Sequence, residues 1–220
     1  MNFLYAFPQA SRYGKKLPKS KIYQHTSPSS KVKGLFSREI EKITWSWKLS
    51  PETVNIPATE RVQEIQVLTL SLKTPSLKRD ILRTIDKAIP SPILFHLDYE
   101  ERGRYTAAYK RPSGADKKKW VVGNYFETPW IRNRAEAKSL PIALDMETLY
   151  REILGNLIPI PYGKSESLEE WVSRAGQVCA MQKKAKKLEN KMKKEIQFNK
   201  KLELYRQLKE IKRGVEALSS

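Results

Sequence analysis

The chain has 220 residues, a formal charge of +18 and 40% hydrophobic residues, which suits one compact domain with an appendage and excludes disorder throughout. Cys179 is the only cysteine, which excludes an internal disulfide framework and a Cys-rich metal site and favours a reducing cytoplasm. No window approaches the roughly 20 apolar residues that span a bilayer, and the N-terminal apolar stretch, interrupted by Pro8, is unlike a signal peptide, so we expect a soluble protein.

Residues 1–30 are predicted to form a basic N-terminal arm or irregular lead-in, because Lys, Ser, Pro and Tyr occur there without a clear period. Aromatic residues alternate with the lysines in this stretch, as Tyr5, Phe7, Tyr13 and Tyr23 show. That mixture suits phosphate contact combined with stacking on exposed bases. An arm of this kind can equally anchor on a partner protein, and both interpretations stay open.

Residues 31–158 are predicted to form an α+β core domain, a small mixed sheet with packed helices. Helical spacing and alternation succeed each other in a helix from Ser30 through Trp47, a strand over 62–73, a helix over 75–90, a hairpin over 93–109 and a strand over 120–126. The strand over 62–73 has apolar residues on both faces, which indicates a central position in the sheet. Asp145 can cap a final core helix that ends before Pro159.

Residues 159–166 are predicted to be a linker, and residues 167–220 a long basic helix with coiled-coil character. Ser167 and Glu170 have capping-box spacing, which marks the start of this helix. Its apolar stripe weakens at Glu195 and Asn199 and must be covered by self-pairing, by the body or by a partner. The predicted partner-binding residues are Leu188, Met192, Leu204, Leu208, Ile211 and Val215.

Positive charge is concentrated at the two ends of the chain. Eight Lys and Arg precede the first acidic residue, Glu39, and residues 183–213 hold thirteen Lys and Arg against four Glu, which leaves +1 for the remainder. This distribution is typical of a surface that binds phosphate or an acidic partner, although Lys-rich helices can also serve solubility alone. The predicted nucleic-acid-binding residues are Arg12, Lys15, Lys16, Lys19, Lys21, Lys110, Arg111, Lys117, Lys118, Lys119, Lys183, Lys184, Lys186, Lys187, Lys191, Lys193 and Lys194.

A metal-dependent nuclease is the enzymatic alternative. It needs a carboxylate pair for a divalent metal and usually a lysine near the attacking water, and Glu64, Asp98 and Lys110 could supply these groups. The usual closely spaced acid-x-lysine on one strand is absent, because residue 108 is Ala. Glu64 and Asp98 are more simply explained as strand-end carboxylates paired with nearby basic residues.

Other catalytic and cofactor sites find no support in the residues. His25 and His96 are the only histidines, so Cys and His cannot assemble a zinc site of normal ligand count. The chain contains neither a GxxxxGK phosphate loop followed by Ser or Thr nor a GxSxG elbow. We therefore predict no metal site and no cofactor, and an NTPase is excluded.

Several phrases of the sequence resemble one protein family. They are LPK at 17–19, WSWKLSPETVNI at 45–56, EIQV at 64–67, IDKAIP at 85–90, ILF at 93–95 and YKR at 109–111. Together they resemble domain of unknown function 4391, over roughly residues 15–158. The resemblance implies a bacterial or archaeal protein that accompanies helicases and DNA methyltransferases in defence or restriction-modification loci, and it carries no assigned active site.

The sequence therefore predicts a non-enzymatic accessory subunit of a nucleic-acid-processing complex. Composition predicts the binding of nucleic acid, with DNA favoured, through the basic ends, whereas the defence context and a larger helicase or methyltransferase partner come from the resemblance. Self-association through the C-terminal helix is a further possibility. The alternatives are the nuclease described above and a pure protein-protein scaffold without affinity for nucleic acid.

Overall fold

The structure is a computed structural model that describes residues 3–114, 120–133, 136–163 and 165–219. The chain divides into two compact units, Met1–Leu157 and Ile158–Ser220. Strands of the first unit are β1 Leu4–Ala6, β2 Arg12–Lys16, β3 Ile40–Leu49, β4 Ile65–Leu72, β5 Ile93–Tyr99, β6 Arg102–Pro112, β7 Trp120–Glu127, β8 Ile131–Arg132 and β9 Ala137–Ser139. Its helices are α1 Lys19–Thr26, α2 Ser30–Glu39, α3 Pro51–Val54, α4 Arg79–Ala88 and α5 Met146–Gly155. Helices α6 Leu168–Lys194 and α7 Phe198–Ser219 belong to the second unit.

A mixed sheet is the centre of the first unit and confirms the predicted α+β class. Its strand order is β2-β3-β4-β5-β6-β7, and β8 pairs with β6. Neighbouring strands are antiparallel except β4 and β5, which run parallel and are connected through α4. Strands β1 and β9 form a separate parallel pair. A parallel pair requires a crossover connection, which explains why a helix follows β4.

The sheet is buried on the face that carries α1, α2 and α4. Strand β4 is central, as its two-sided apolar pattern predicts, and Ile65, Val67 and Leu68 have no exposed surface. Ile81 and Ile85, one turn apart on α4, are also completely buried within the core cluster on this face. Helix α4 therefore holds a fixed position against the sheet.

The N-terminal residues differ from the predicted irregular arm. Residues 4–26 include β1, β2 and α1, and β2 pairs with β3 so that Arg12 lies opposite Trp47 and Lys15 opposite Trp45. All five residues of β2 are exposed, because it is an edge strand, so its sequence shows no apolar alternation. Ile22 of α1 is 2% exposed and joins the core.

The second unit contains the predicted long basic helix as two helices, α6 and α7. The connection covers residues 195–197, where the apolar stripe weakens, and the Glu195 carboxylate accepts hydrogen bonds from the Ile196 and Gln197 amides at 3.0 Å each. The helices are antiparallel, since Lys212 Nζ contacts Glu189 Oε1 at 2.9 Å and Arg174 Nη1 donates to the Leu218 carbonyl. Nowhere in the described ranges is a helix long and apolar enough to cross a membrane.

The stripe predicted to bind a partner packs between α6 and α7. Leu188 and Leu208 are buried together with Ala185, and Met192, Leu204 and Ile211 pack against them. Val215 is half-buried on α7. Two antiparallel amphipathic helices cover each other's apolar faces, because helices owe most of their stability to such packing. These six residues therefore contact each other or lie half-buried within the chain.

Candidate nucleic-acid interface

The three candidate nuclease residues do not converge. Glu64 precedes β4, whereas Asp98 lies opposite Ser71 near the other end of the parallel pair. At about 3.3 Å per residue, the strand length between them is roughly 20 Å. The Glu64 carboxylate binds Lys48 at 2.7 Å, and Asp98 accepts a hydrogen bond from Asn133 at 3.1 Å. Within the ranges that the structure describes, no group of three His, Cys, Asp or Glu could hold a metal ion.

Lys110 caps the end of α4 and is not available to phosphate. Its ammonium donates to the carbonyls of Asp86 at 2.8 Å, Ile89 at 2.5 Å and Ser91 at 2.8 Å, and lies 3.4 Å from Asp86 Oδ1. Tyr125 donates a hydrogen bond to the other oxygen of that carboxylate. Burial lowers the pKa of Lys110, and burial raises the pKa of Asp86 to about 6 although the Lys110 charge opposes this rise. The lysine side chain is 0% exposed, so its role is structural.

Lys19 has the same role at the end of α2. Its ammonium donates to the Phe36 carbonyl at 2.9 Å and to the Ile40 carbonyl at 2.7 Å. These carbonyls lie in the last turn, where acceptors lack partners within the helix and attract cations. Burial, and to a smaller extent the charge of Lys73, lower the pKa of Lys19. Lys19 and Lys110 therefore leave the predicted nucleic-acid-binding set.

The other lysines near the N-terminus surround a cavity of ≈ 360 Å³, the Tyr13–Trp45 pocket. Strand β2 contributes Tyr13, Lys15 and Lys16, and β3 contributes Trp45. The remaining lining comes from α1, from the segment that precedes it and from the end of α4, with Leu17, Pro18, Lys21, Ile22, His25, Ala88 and Ile89. The pocket thus joins three ammonium groups to an aromatic and aliphatic lining.

A bulge in β2 sets the geometry of this pocket. The pairing register shifts between Arg12 and Lys15, and Gly14 has φ +68°, a left-handed conformation that glycine adopts readily. The Tyr13 ring lies 4.8 Å from the Trp45 ring at 49°, and Lys15 Nζ lies 4.8 Å from the Tyr13 ring centre. Cations attract the faces of aromatic rings, so Lys15 and Tyr13 stabilise each other.

The indole of Trp45 is fixed by a hydrogen bond to the neighbouring strand β4. Its Nε1 donates to Gln66 Oε1 at 2.7 Å, and Gln66 is 1% exposed on β4. Tyr13 is 40% exposed, so one ring of the pair remains open to a ligand. A fixed indole beside an open tyrosine ring is suited to stacking with a planar group.

The electrostatics of the pocket favour an anion. Lys15, Lys16 and Lys21 are exposed, and no carboxylate occurs among the described residues that line the cavity. The end of α4 would normally carry a partial negative charge, but the ammonium of Lys110 binds the Ile89 carbonyl there and compensates it. The cationic rim therefore meets an end of α4 whose partial charge is reduced by Lys110, and the start of α1 at Pro18 borders the pocket as well.

The remaining predicted nucleic-acid-binding residues are two arginines of the first unit, residues 117–119 and the lysines of α6. Arg12 is exposed on β2, Arg111 is half-buried on β6, and residues 117–119 lie outside the described residues. Seven lysines are exposed on α6, namely Lys183, Lys184, Lys186, Lys187, Lys191, Lys193 and Lys194. The structure thus leaves these arginines and helix lysines accessible in whole or in part, each within its own unit.

A family model described as "Domain of unknown function (DUF4391)" matches residues 6–214 of the chain. The chain belongs to this family. No curated protein and no solved structure matches it. The DUF4391 match extends beyond the resemblance over residues 15–158 and includes β2, the whole Tyr13–Trp45 pocket and most of the α6–α7 hairpin. Both basic ends are therefore parts of the family's domain and not additions to it.

Part of the pocket was missed in the sequence. Trp45, His25 and the end of α4 showed no binding signal, because they lie far from the N-terminal lysines along the chain and meet them only through the β2–β3 pairing and the packing of α1 against α4. The other histidine, His96, does not line this pocket. It lies beside Tyr105, with ring centres 5.2 Å apart, and burial lowers the pKa of the His96 imidazole. The alternation of aromatic residues and lysines near Tyr13 was the one usable signal.

Proposed function

We propose that this DUF4391 protein is a non-enzymatic accessory subunit that binds nucleic acid through the Tyr13–Trp45 pocket. The observation that carries the proposal is the combination of three exposed lysines with an aromatic pair and no lining carboxylate. Lysines neutralise phosphates, and aromatic rings stack on bases without regard to sequence. The pocket therefore suits a strand with an accessible base more than the outside of an intact duplex.

The proposed setting is a bacterial or archaeal antiphage defence or restriction-modification complex, in the cytoplasm, with DNA as the nucleic acid and a helicase or methyltransferase-type enzyme as the larger partner. This setting rests on the family resemblance alone. The separation of Glu64 from Asp98 supports a binding role over the nuclease alternative, since a metal-dependent reaction requires convergent carboxylates.

The test measures binding of a fluorescent thymine oligonucleotide of about 16 nucleotides by the full chain, with a duplex of equal length for comparison. Between about 50 and about 200 mM salt, affinity should fall steeply, and replacing both lysines in Lys15→Gln/Lys16→Gln should reduce the magnitude of the log–log salt slope by about 1.4, about 0.7 per phosphate contact on a single strand. Tyr13→Ala should weaken binding by about fivefold or more, since stacking contributes about 1–3 kcal/mol per base.

A charge-matched control uses Lys78 and Lys138, two exposed lysines outside the pocket. Lys78 precedes α4, whose other end borders the pocket, and Lys138 lies on β9, which pairs with β1 and not with the main sheet. The double variant Lys78→Gln/Lys138→Gln removes the same charge as the pocket variant. It should keep the parent affinity within about twofold, because exposed charges more than about 8–10 Å away are screened. Equal losses in the two double variants would show that net charge alone, and not the pocket, binds the oligonucleotide.

The larger partner has its own candidate surface on the hairpin. Ile196 is 96%, Phe198 76%, Leu202 40% and Tyr205 54% exposed, and these residues lie apart from the stripe that packs between α6 and α7. Thirteen Lys and Arg against four Glu over residues 183–213 favour an acidic surface on that partner. Phe198, Leu202 and Tyr205 recur at helical spacing and share one face of α7. An exposed apolar face that is surrounded by charged residues is typical of a protein-binding surface.

Recovery of the tagged protein from its native host tests this second surface. If a protein partner binds directly, it should remain after nuclease treatment and disappear with Phe198→Ser/Tyr205→Ser. If nuclease treatment removes every companion, nucleic acid bridges them and the hairpin surface is not a docking site. Thymine-oligonucleotide binding by the same variant should be unchanged in both cases, which separates this test from that of the pocket.

A further inference from the structure

A second cavity, the Arg104 pocket, lies where α4 begins. Its volume is ≈ 380 Å³. Lining residues come from the segment after β4, the first turns of α4, β5, β6 and the end of β7, and include Ser76, Arg79, Arg104, Thr106, Glu127 and Trp130. Strands β4 and β5 are parallel, so the pocket is at the carboxyl end of a strand-helix-strand unit. Ligands of such units bind at this end.

Two buried polar atoms in this pocket lack hydrogen-bond partners. Thr106 is 1% exposed and its Oγ1 has no partner among the described residues, and the same is true of the buried Nε of Arg104. Leu97 lies opposite Arg104 and Phe95 opposite Thr106, so both side chains point to the sheet face that α4 covers. Native proteins seldom leave buried polar groups unpaired, so each such group requires an explanation.

The charges around these atoms favour an anionic ligand. Arg79 and Arg104 face a single lining carboxylate, that of Glu127, which lies 3.2 Å from Arg104 Nη1. The Arg104 guanidinium also lies 4.5 Å from the centre of the Trp130 ring, which fixes its plane. Glu127 contacts Nη1 and leaves the Nε edge without a partner. Guanidinium edges bind oxyanions through parallel hydrogen bonds.

Helix α4 supplies little directly to this ligand. Its preceding amide, that of Lys78, already donates to the Glu39 carboxylate at 2.7 Å. The helix end is therefore partly compensated, and the recognition must come from the side chains of Arg79, Arg104 and Thr106. This arrangement is more specific than a bare helix N-terminus, because it includes a buried hydroxyl.

We propose that the Arg104 pocket binds a phosphate group, free or as a phosphate monoester. Thr106 Oγ1 donates to one oxygen, and Arg104 and Arg79 compensate the charge. The volume exceeds that of a phosphate alone, and Leu77, Leu82 and Trp130 provide an apolar lining for an organic substituent. The Tyr13–Trp45 pocket lies at the other end of α4, against Ala88 and Ile89, so this site is independent of the proposed nucleic-acid interface.

The first measurement titrates the full chain with inorganic phosphate, with chloride at equal ionic strength as reference, and follows tryptophan fluorescence and thermal unfolding. A saturable rise in Tm with phosphate over chloride is expected. Arg104→Gln should weaken phosphate binding by about tenfold or more, the usual loss for a hydrogen bond to a charged group. The control Arg102→Gln, on the same strand but paired with Glu100 outside this pocket, should bind as the parent does.

Thr106→Val separates the ligand role from a structural one. Valine keeps the shape but removes the unpartnered hydroxyl, so Tm in chloride should rise while the phosphate-dependent increase is lost. The proposal is overturned if phosphate and chloride stabilise the parent equally, or if Thr106→Val and Arg104→Gln keep the parent's response to phosphate. A lower Tm of Thr106→Val in chloride with an unchanged phosphate response would instead identify a water-paired structural threonine.

Discussion

Replacing Lys110 by methionine tests the assignment of this residue to the end of α4. The substitution keeps an apolar stem of the same length and removes an ammonium that binds three carbonyls and lies 3.4 Å from Asp86 Oδ1. Breaking a buried ion pair by removing one partner costs about 3–5 kcal/mol, because the other charge is left uncompensated. Lys110→Met should therefore lower the free energy of unfolding by about that amount near pH 8.

The loss should be smaller in acid. The pKa of Asp86 is raised to about 6 by burial even with Lys110 present, and it rises further without that cation. Below this pKa the folded variant holds a neutral carboxylic acid, so the uncompensated charge disappears. We expect the difference in unfolding free energy between parent and variant to shrink by at least about 1 kcal/mol between about pH 8 and about pH 5.

Urea unfolding followed by tryptophan fluorescence at the two pH values measures both quantities. The matched control is Lys42→Met, which removes an exposed ammonium on β3 and should change stability by less than about 0.5 kcal/mol at either pH. A loss for Lys110→Met below about 1 kcal/mol, the same at both pH values, would refute the structural role and restore Lys110 as a candidate for ligand binding.

Three further outcomes follow from the same contacts. Asp86→Asn removes a carboxyl group whose pKa is about 6 in the folded chain and 3.8 ordinarily. Urea titrations should therefore show that the stability of the parent relative to this variant falls by up to about 3 kcal/mol as pH rises from about 4 to about 6. Lys19→Met leaves the Phe36 and Ile40 carbonyls without their donor and should cost about 1 kcal/mol in urea unfolding, while oligonucleotide affinity stays at the parent value; a parallel loss of affinity would return Lys19 to the interface. Leu208→Ala opens the α6–α7 packing and should cost about 2–5 kcal/mol in unfolding followed by circular dichroism, and an unchanged midpoint would contradict that packing.

Most helices and strands of the core could be predicted from the sequence because their patterns are local, but the helix expected from Ser30 through Trp47 was wrong beyond Glu39, where β3 begins. Register shifts break the alternation of β3, so its buried residues recur every three positions and imitate helical spacing. Strand β4 has apolar residues on both faces, and α4 follows Pro75 and ends before Pro90, so burial and punctuation agree. Strand β2 could not be predicted in this way. Its five exposed residues owe their conformation to backbone pairing with β3, and pairing with a distant strand leaves no trace in side-chain periodicity.

The candidate site was only partly predictable for a related reason. Lys15 and Lys19 look alike in the sequence, four residues apart in the same basic stretch, yet one lines an open pocket and the other caps a helix. The difference depends on where α2 ends, twenty residues later, which charge counting does not include. The turn at 195–197 was visible only as a weakened stripe, since Glu195 in an apolar seam is compatible with a flawed coiled coil and with a turn alike.

The two lysines that bind helix ends, the buried Lys110 and the half-buried Lys19, change how the charge of this protein should be interpreted. The ammonium groups of Lys19 and Lys110 bind carbonyls at the carboxyl ends of α2 and α4. The cationic surface of the first unit is therefore smaller than its composition suggests. The same contacts also alter the charge beside the Tyr13–Trp45 pocket. Lys110 compensates Asp86 and part of the dipole at the end of α4 that borders the Tyr13–Trp45 pocket, so an incoming phosphate at Lys15, Lys16 and Lys21 is opposed less by that helix end. Thus Lys110→Met should weaken oligonucleotide binding modestly even where the variant remains folded, whereas Lys19→Met, whose helix end does not line the pocket, should not.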